Sequence, residues 1–459
     1  NGHNIPYAYK YKNISLIKQF ITLFYTFLLI LAQTKRNAIF IRYLCSNKTT
    51  TMAFFYNIGI RAYSTAIRLA APFNEKAALW LKGRKNIRKQ IAAIPRGSKR
   101  LIWFHAASLG EFEQGRPVME ALKKEQPDTQ ILLTFFSPSG YEIRKNYNGA
   151  DHILYLPADT PGNARFFINR LKPDAAVFIK YEFWYNYLHE LSEHNIPVYL
   201  ISAIFRKEQP FFKNWGGLHR KMLHFFTRLF VQDNESVQLL ASIGIKNTEL
   251  TGDTRFDRVK QIAAQAKNIG KVELFLNRTP AVVCGSTWPP DEEILIDYIN
   301  QYQGAYKWIL TPHEIGENHI KSIMEKCQKS IVRYTDESAD YSSAEVLIID
   351  CIGLLSAIYR YGKIAYIGGG FGVGIHNTLE AAVYGIPVIF GPKYRKFKEA
   401  VSLIQEGGAF TIQNGNELNA ILDSLMENPE IAGTAGKKAV AYVNSQLGAT
   451  ECIMKYLKP

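Results

Sequence analysis

From Lys99 onward the chain alternates short apolar runs with helical segments of ten to fifteen residues, and this rhythm limits what it can fold into. A strand buried on both faces reads as a continuous apolar run, and parallel strands need a helical crossover between them. Strand and helix in steady alternation therefore imply parallel α/β units. The first half offers LIWFHA (101–106), ILLTFF (131–136), HILYLP (152–157), AAVFIK (175–180), VYLISA (198–203) and RLFVQD (228–233). The second offers AVVCGS (281–286), WILTP (308–312), VLIID (346–350), IAYIGG (364–369) and PVIFGP (387–392). A chain of 459 residues is longer than one core organises, so two doubly wound domains in tandem are expected. They are placed at 99–257 and 281–459, with the polar segment 258–280 as linker. Ligands of such sheets sit beyond the carboxyl ends of the strands, which puts the expected site in a cleft that both domains face. No internal repeat and no low-complexity tract competes with this reading.

Charge is concentrated at the start of the chain. Residues 1–100 hold eighteen Lys or Arg and the single acid Glu75, so within a net charge of +15 the remaining residues sum to −2. Basic residues interleaved with aromatic and aliphatic ones suit an anionic bilayer surface better than a nucleic-acid groove; a solvated basic tail is the plainer alternative. The stretch 54–81 is apolar with isolated charges and is broken at Pro72, the pattern of an interfacial anchor within a membrane-associating segment 52–98. A second apolar run, Phe20 to Ala32, is short for a spanning helix. The chain begins with Asn and has no Met before Met52, so residues 1–51 are treated as an upstream extension and kept out of the fold. The five cysteines are scattered, with no C-x-x-C pair, which argues against a disulfide framework or a zinc site and for a reducing compartment.

Two strand-to-helix junctions carry chemistry. Residues 363–385, KIAYIGGGFGVGIHNTLEAAVYG, run strand, glycine-rich turn, helix; glycines let backbone N–H groups approach a phosphate, and a helix N-terminus adds partial positive charge. The spacing is neither a Walker loop nor a dinucleotide fingerprint, and a tight turn with no ligand stays open. Asn377 and Glu380 are three residues apart on one helical face, where a carboxylate can accept ribose hydroxyls or simply complement the helix dipole. The other junction is HAASLGEFE (105–113). Here Ser108 and Glu111 have capping-box spacing, with a general base at Glu111 as the functional alternative. Lesser candidates are the basic segment KYRKFKEA (393–400), read as a solvated helix face or a contact to donor anions, and Arg206 with Lys207, read the same way for acceptor phosphates. Trp184, Tyr185 and Tyr187 suit an acceptor groove or core packing.

Taken in order, SLGE (108–111), SPSGYE (137–142), YEFWYN (181–186), QDNES (232–236), GDTRFD (252–257), GSTW (285–288) and HNTLE (376–380) resemble the 3-deoxy-D-manno-octulosonic acid (Kdo) transferases, from about Met52 to the end. The resemblance implies a GT-B fold and inverting transfer of Kdo from CMP-Kdo to a lipid A precursor in lipopolysaccharide synthesis, at the cytoplasmic face of a bacterial inner membrane. It makes Glu111 the base and places Glu182 and Arg255 as transition-state stabilisers. Donor contacts fall on Ser286, Pro312, His313, Ile352, Gly353, Leu354, Gly370, Asn377, Thr378, Leu379 and Glu380. No cofactor, metal or nucleic-acid partner is implied, in keeping with the lack of a D-x-D pair and of H-E-x-x-H spacing around His313 and His319. Three positions depart from the family pattern: Thr311-Pro312-His313 replaces Pro-Arg-His, residues 350–355 read DCIGLL in place of DTMGEL, and Arg255 replaces Lys. Another GT-B transferase, such as a lipid A disaccharide synthase, and a non-catalytic nucleotide-binding protein at the membrane surface are the alternatives.

Overall fold

The computed structural model describes residues 48–458, so the apolar run 20–32 lies outside the described residues. Packing divides the chain into two units: one runs to Thr254 and regains Gly448 onward, the other is Arg255–Leu447. Each is a doubly wound α/β unit built on a seven-stranded parallel sheet, as the alternating pattern required.

The first sheet contains β1 (Leu101–Ala106), β2 (Gln130–Phe135), β3 (His152–Tyr155), β4 (Ala175–Ile179), β5 (Val198–Ala203), β6 (Arg228–Val231) and β7 (Thr248–Leu250), in the order β3-β2-β1-β4-β5-β6-β7. The second contains β8 (Ala281–Thr287), β9 (Lys307–Pro312), β10 (Ile331–Arg333), β11 (Val346–Ile348), β12 (Ile364–Ile367), β13 (Val388–Phe390) and β14 (Ala409–Thr411), in the order β10-β11-β9-β8-β12-β13-β14. In each sheet the order reverses at one place, between β1 and β4 and between β8 and β12, and a ligand-binding crevice forms at such a switch point. β1 and β4 are buried at every residue, the consequence of helices covering both faces.

The three strands that the apolar pattern did not reveal are β7, β10 and β14. All are three-residue edge strands, half-buried or exposed at most positions, so they carry no apolar run. The placement of the linker at 258–280 is corrected as well. Helices Thr254–Gln265 and Gly270–Leu276 turn Phe256, Val259, Val272 and Phe275 into the second unit's core, and the polar residues that suggested a linker are their solvent faces. The second unit also ends earlier than expected. The final helix, Ala449–Leu457, buries Ile453, Met454 and Leu457 against the helix Leu109–Glu125 side of the first unit.

At the N-terminal end, helix Lys48–Ala70 is followed by a turn containing Pro72 and by helices Glu75–Arg84 and Ile87–Ala93. Tyr56 fixes the first of these to the sheet: its hydroxyl donates to Asp159 Oδ2 at 2.6 Å, while the backbone amides of Asn186 and Tyr187 donate to the same carboxylate at 3.1 Å. Among the described residues no helix is long and apolar enough to cross a membrane.

Candidate active site

In the first unit the switch point lies between the ends of β1 and β4. Glu111 stands in the first turn of helix Leu109–Glu125, directly after β1, and is half-buried. The capping box is absent: Ser108 is the N-cap residue, but its side chain caps no backbone amide and its hydroxyl donates instead to the Glu111 carboxylate. Glu111 Oε1 keeps no hydrogen-bond partner among the described residues, which leaves an oxygen that can accept a proton. Tyr181, just past β4, lies within electrostatic reach of three charges. Burial pushes its phenol up, Arg206 pulls it down, and Asp233 and Glu111 push it further. Glu111, Tyr181, Arg206 and Asp233 therefore belong to one end of this sheet. Arg206 and Lys207 are exposed there, whereas Tyr185 and Tyr187 are core residues.

Glu182 is a different kind of carboxylate. It is buried, and its Oε2 lies 2.8 Å from Trp184 Nε1 and 3.3 Å from His105 Nε2. Behind it, His105 Nδ1 meets Thr134 Oγ1 at 2.9 Å, and Thr134 Oγ1 accepts from Trp103 Nε1 at 2.8 Å. A consistent assignment has Trp103 donating to Thr134, Thr134 to His105 Nδ1, and His105 Nε2–H to Glu182, so every link is satisfied. His105 was absent from the sequence candidates although it opens the HAASLGEFE motif. A buried histidine on a strand gives no sign of its partners until the neighbouring strands are placed.

Arg255, the third member of the expected catalytic set, belongs to the second unit. Its guanidinium pairs with the buried Glu399 at 2.9 Å. The remaining candidates gather at the carboxyl ends of β8, β9, β11 and β12. Ser286 sits in the left-handed region (φ 53°) at a bulge in β8. Pro312 ends β9, and the following His313 stacks on Trp288 with ring centroids 4.5 Å apart; His376 lies 4.7 Å beyond His313. Trp288 Nε1 donates to His376 Nε2 at 2.9 Å, and burial with the neighbouring His313 lowers the His376 pKa to about 4. This Trp288–His313–His376 stack is the feature the residue list missed, although GSTW and HNTLE contain two of its rings. Ile352 is 88% exposed beside Gly353 and the half-buried Leu354.

Asn377 and Glu380 do meet: Asn377 Nδ2 donates to Glu380 Oε1 at 3.0 Å, and Asn377 Oδ1 accepts from the Leu379 amide at 3.2 Å. Thr378 and Leu379 point into the core, and Thr378 Oγ1 is buried without a partner.

Five amides of the glycine turn are taken up within the protein. Gly368 N–H donates to Gly285 O, Gly369 N–H to Asp291 Oδ2 at 2.8 Å, Gly372 and Gly374 to Gly369 O, and His376 to Gly368 O. The helix that follows is Leu379–Ala382, a single turn, too short to build a substantial dipole. Gly370 is required by packing, since a Cβ there would meet Gly391 Cα at 2.5 Å. Asp291 itself is buried and takes the Tyr366 hydroxyl, the Gly369 amide and the Trp288 amide, so it ties the turn to the β8 end. Among the described residues no group of three or more His, Cys, Asp or Glu is placed to hold a metal ion.

Residues 83–258 match the family model described as 3-deoxy-D-manno-octulosonic-acid transferase (kdotransferase). The chain is 30% identical over 341 residues to 3-deoxy-D-manno-octulosonic acid transferase of Rickettsia typhi, covering 71% of this chain and 72% of the relative. It is likewise 30% identical over 335 residues to the enzyme of the same name from Aquifex aeolicus, covering 72% and 86%. Among solved structures, UDP-GlcNAc 2-epimerase from Neisseria meningitidis is similar in fold, with a TM-score of 0.55 at 16% identity over 78% of this chain and 99% of that one. The identity to the two transferases extends over most of this chain and of each relative, so this glycosyltransferase belongs to the 3-deoxy-D-manno-octulosonic acid (Kdo) transferase family.

Proposed function

We propose that the protein transfers Kdo from CMP-Kdo to a hydroxyl of a lipid A precursor, with inversion and without a metal ion. The observation that carries this reading is the Glu111 carboxylate. It stands at the switch point of the first sheet, is oriented by Ser108, and has an oxygen left to accept a proton. In the reaction the acceptor oxygen attacks the anomeric carbon of the sugar, its proton passes to Glu111, and the bond to the phosphate oxygen breaks to release CMP. Glu182, held by His105 and Trp184, is a fixed negative charge suited to an electron-poor transition state, and Arg255 a positive one suited to developing phosphate charge. In the second unit, Asn377 and Glu380 offer polar groups for a ribose, and the exposed Ile352 with the His313 ring offers surface for a base.

The acceptor's membrane is met by the N-terminal helices. Arg68, Lys82, Lys85 and Arg88 line a concavity of about 620 Å³ that has no acid in its wall, and Leu69 and Phe73 nearby are 72% and 91% exposed. Cationic side chains beside exposed apolar ones suit the headgroup level of an anionic bilayer.

The test is transfer of labelled Kdo from freshly made CMP-Kdo to a tetraacylated lipid A precursor, with chelator present. The intact chain should transfer. Glu111→Gln should lose roughly 10²- to 10⁴-fold in rate while still binding CMP. Full activity in that variant would remove Glu111 as the base, and loss of activity on chelation would refute metal independence.

A further inference from the structure

We infer that Lys393 and Lys396, on the loop after β13, supply the positive charge that holds the anionic groups of the donor, its phosphodiester and the carboxylate of its sugar. This rests on the donor reading above and names the side chains that read it. The turn after β12 uses the amides of Gly368, Gly369, Gly372, Gly374 and His376 within the protein, and the helix behind it is one turn long. Backbone amides carry no net charge, so the full positive charge that offsets a doubly anionic donor comes from side chains, and both histidines at this end belong to the ring stack with Trp288.

The loop brings cations to the same place. Lys393 Nζ donates to Phe371 O at 3.2 Å and Lys396 Nζ to Val373 O at 2.5 Å, so both ammonium groups are fixed against the carbonyls of the glycine turn. The Lys393 amide donates to Gly370 O, which pins the loop itself. Gly374, at φ 138°, gives Lys396 its room: a Cβ there would lie 2.7 Å from the ammonium nitrogen. Each ammonium has three donors and gives one to the turn, which leaves two for ligand oxygens. Both lysines are exposed, with Arg395 between them. The carboxylates at this end have other partners: Asp350 takes Arg333 and Thr335, Glu380 takes Asn377, and Asp291 is buried. Two cations held about one turn suit a ligand with two separate negative charges, as in a nucleotide-activated acidic sugar.

The experiment compares the full chain with K393Q/K396Q and K393R/K396R. It measures CMP affinity by calorimetry, the KM for CMP-Kdo over a range of salt, and thermal unfolding. The glutamine variant should lose roughly tenfold or more in CMP affinity and donor KM, with a smaller change in kcat and a weaker salt dependence. The arginine variant should recover most of this, because it keeps the charge. Wild-type affinity and salt dependence in the glutamine variant would overturn the inference while leaving the donor reading intact. Equal losses in both variants with a lowered unfolding temperature would also overturn it, since the lysines would then only brace the turn. Failure of the unaltered chain to bind CMP would refute the donor reading itself.

Discussion

Tyr56→Phe tests how the N-terminal helix is held, and the structure fixes both the size and the pH dependence of the effect. Asp159 is 1% exposed, and burial pushes its carboxyl up to about 6 against the pull of Tyr56, Asn186 and Tyr187. The Tyr56 hydroxyl makes the shortest of these bonds, at 2.6 Å. A hydrogen bond to a charged group contributes about 2 kcal/mol, whereas one to the neutral acid contributes about 1 kcal/mol. Removing it must raise the folded-state pKa further, by roughly 0.7 unit at about 1.4 kcal/mol per unit. A carboxyl whose folded pKa exceeds its unfolded value contributes stability below the unfolded pKa, and that contribution is lost as pH rises through the folded value. The variant's folded value lies higher, so its loss continues to higher pH than in the unaltered chain. Relative to the unaltered chain, Tyr56→Phe should therefore cost about 1 kcal/mol near pH 4 and about 2 kcal/mol above pH 7.5. Urea unfolding at pH 4, 6 and 8 measures this, with hydrogen exchange at the Asn186 and Tyr187 amides reporting the local opening. A cost independent of pH, or one larger at pH 4, would refute the coupling of Tyr56 to a buried ionised Asp159.

Two further predictions concern the second unit. The lowered pKa of His376, about 4, means that its contribution to stability is complete above the ordinary histidine value and is lost as pH falls through the folded value; His376→Gln should flatten the acid side of the second unit's stability profile by up to roughly 3 kcal/mol between pH 6.5 and 4, and an unchanged profile would count against the buried neutral ring. Arg255→Met strips the buried Glu399 of its guanidinium and should destabilise by roughly 2 to 4 kcal/mol, which Glu399→Gln added to it should largely restore. Transfer should remain lost in the double variant; its recovery would make Arg255 a structural residue only.

What the sequence made legible was what depends on local pattern. Doubly buried strands such as β1 and β4 announce themselves as apolar runs, and Pro72 marks the break between the N-terminal helices. The three edge strands escaped because an edge needs little apolar sequence, and the segment 258–280 passed for a linker because half of each amphipathic helix is polar. At the site Asn377 does meet Glu380, but not on the one helical face their spacing suggested: Asn377 precedes the helix Leu379–Ala382 and reaches forward to the Leu379 amide and the Glu380 carboxylate. Spacing also suggested a capping box at Ser108 and Glu111, where two geometries share one signature and only the side-chain torsions choose between them. His105 with Glu182, Arg255 with Glu399 and Trp288 with His376 are each separated by 77 residues or more, and such pairs follow from sheet order rather than from any local signal.

The glycine turn is braced from inside the protein: the Asp291 carboxylate accepts the Gly369 amide and the Tyr366 hydroxyl and caps the Trp288 amide. Those three bonds tie the turn to the end of β8. The glycines then serve close packing, at Gly370 against Gly391, and make room for a cation at Gly374. On the inference drawn above, anion recognition falls to the exposed ammonium groups of Lys393 and Lys396, whose attraction salt screens. Replacing both lysines should therefore weaken donor binding and flatten its salt dependence.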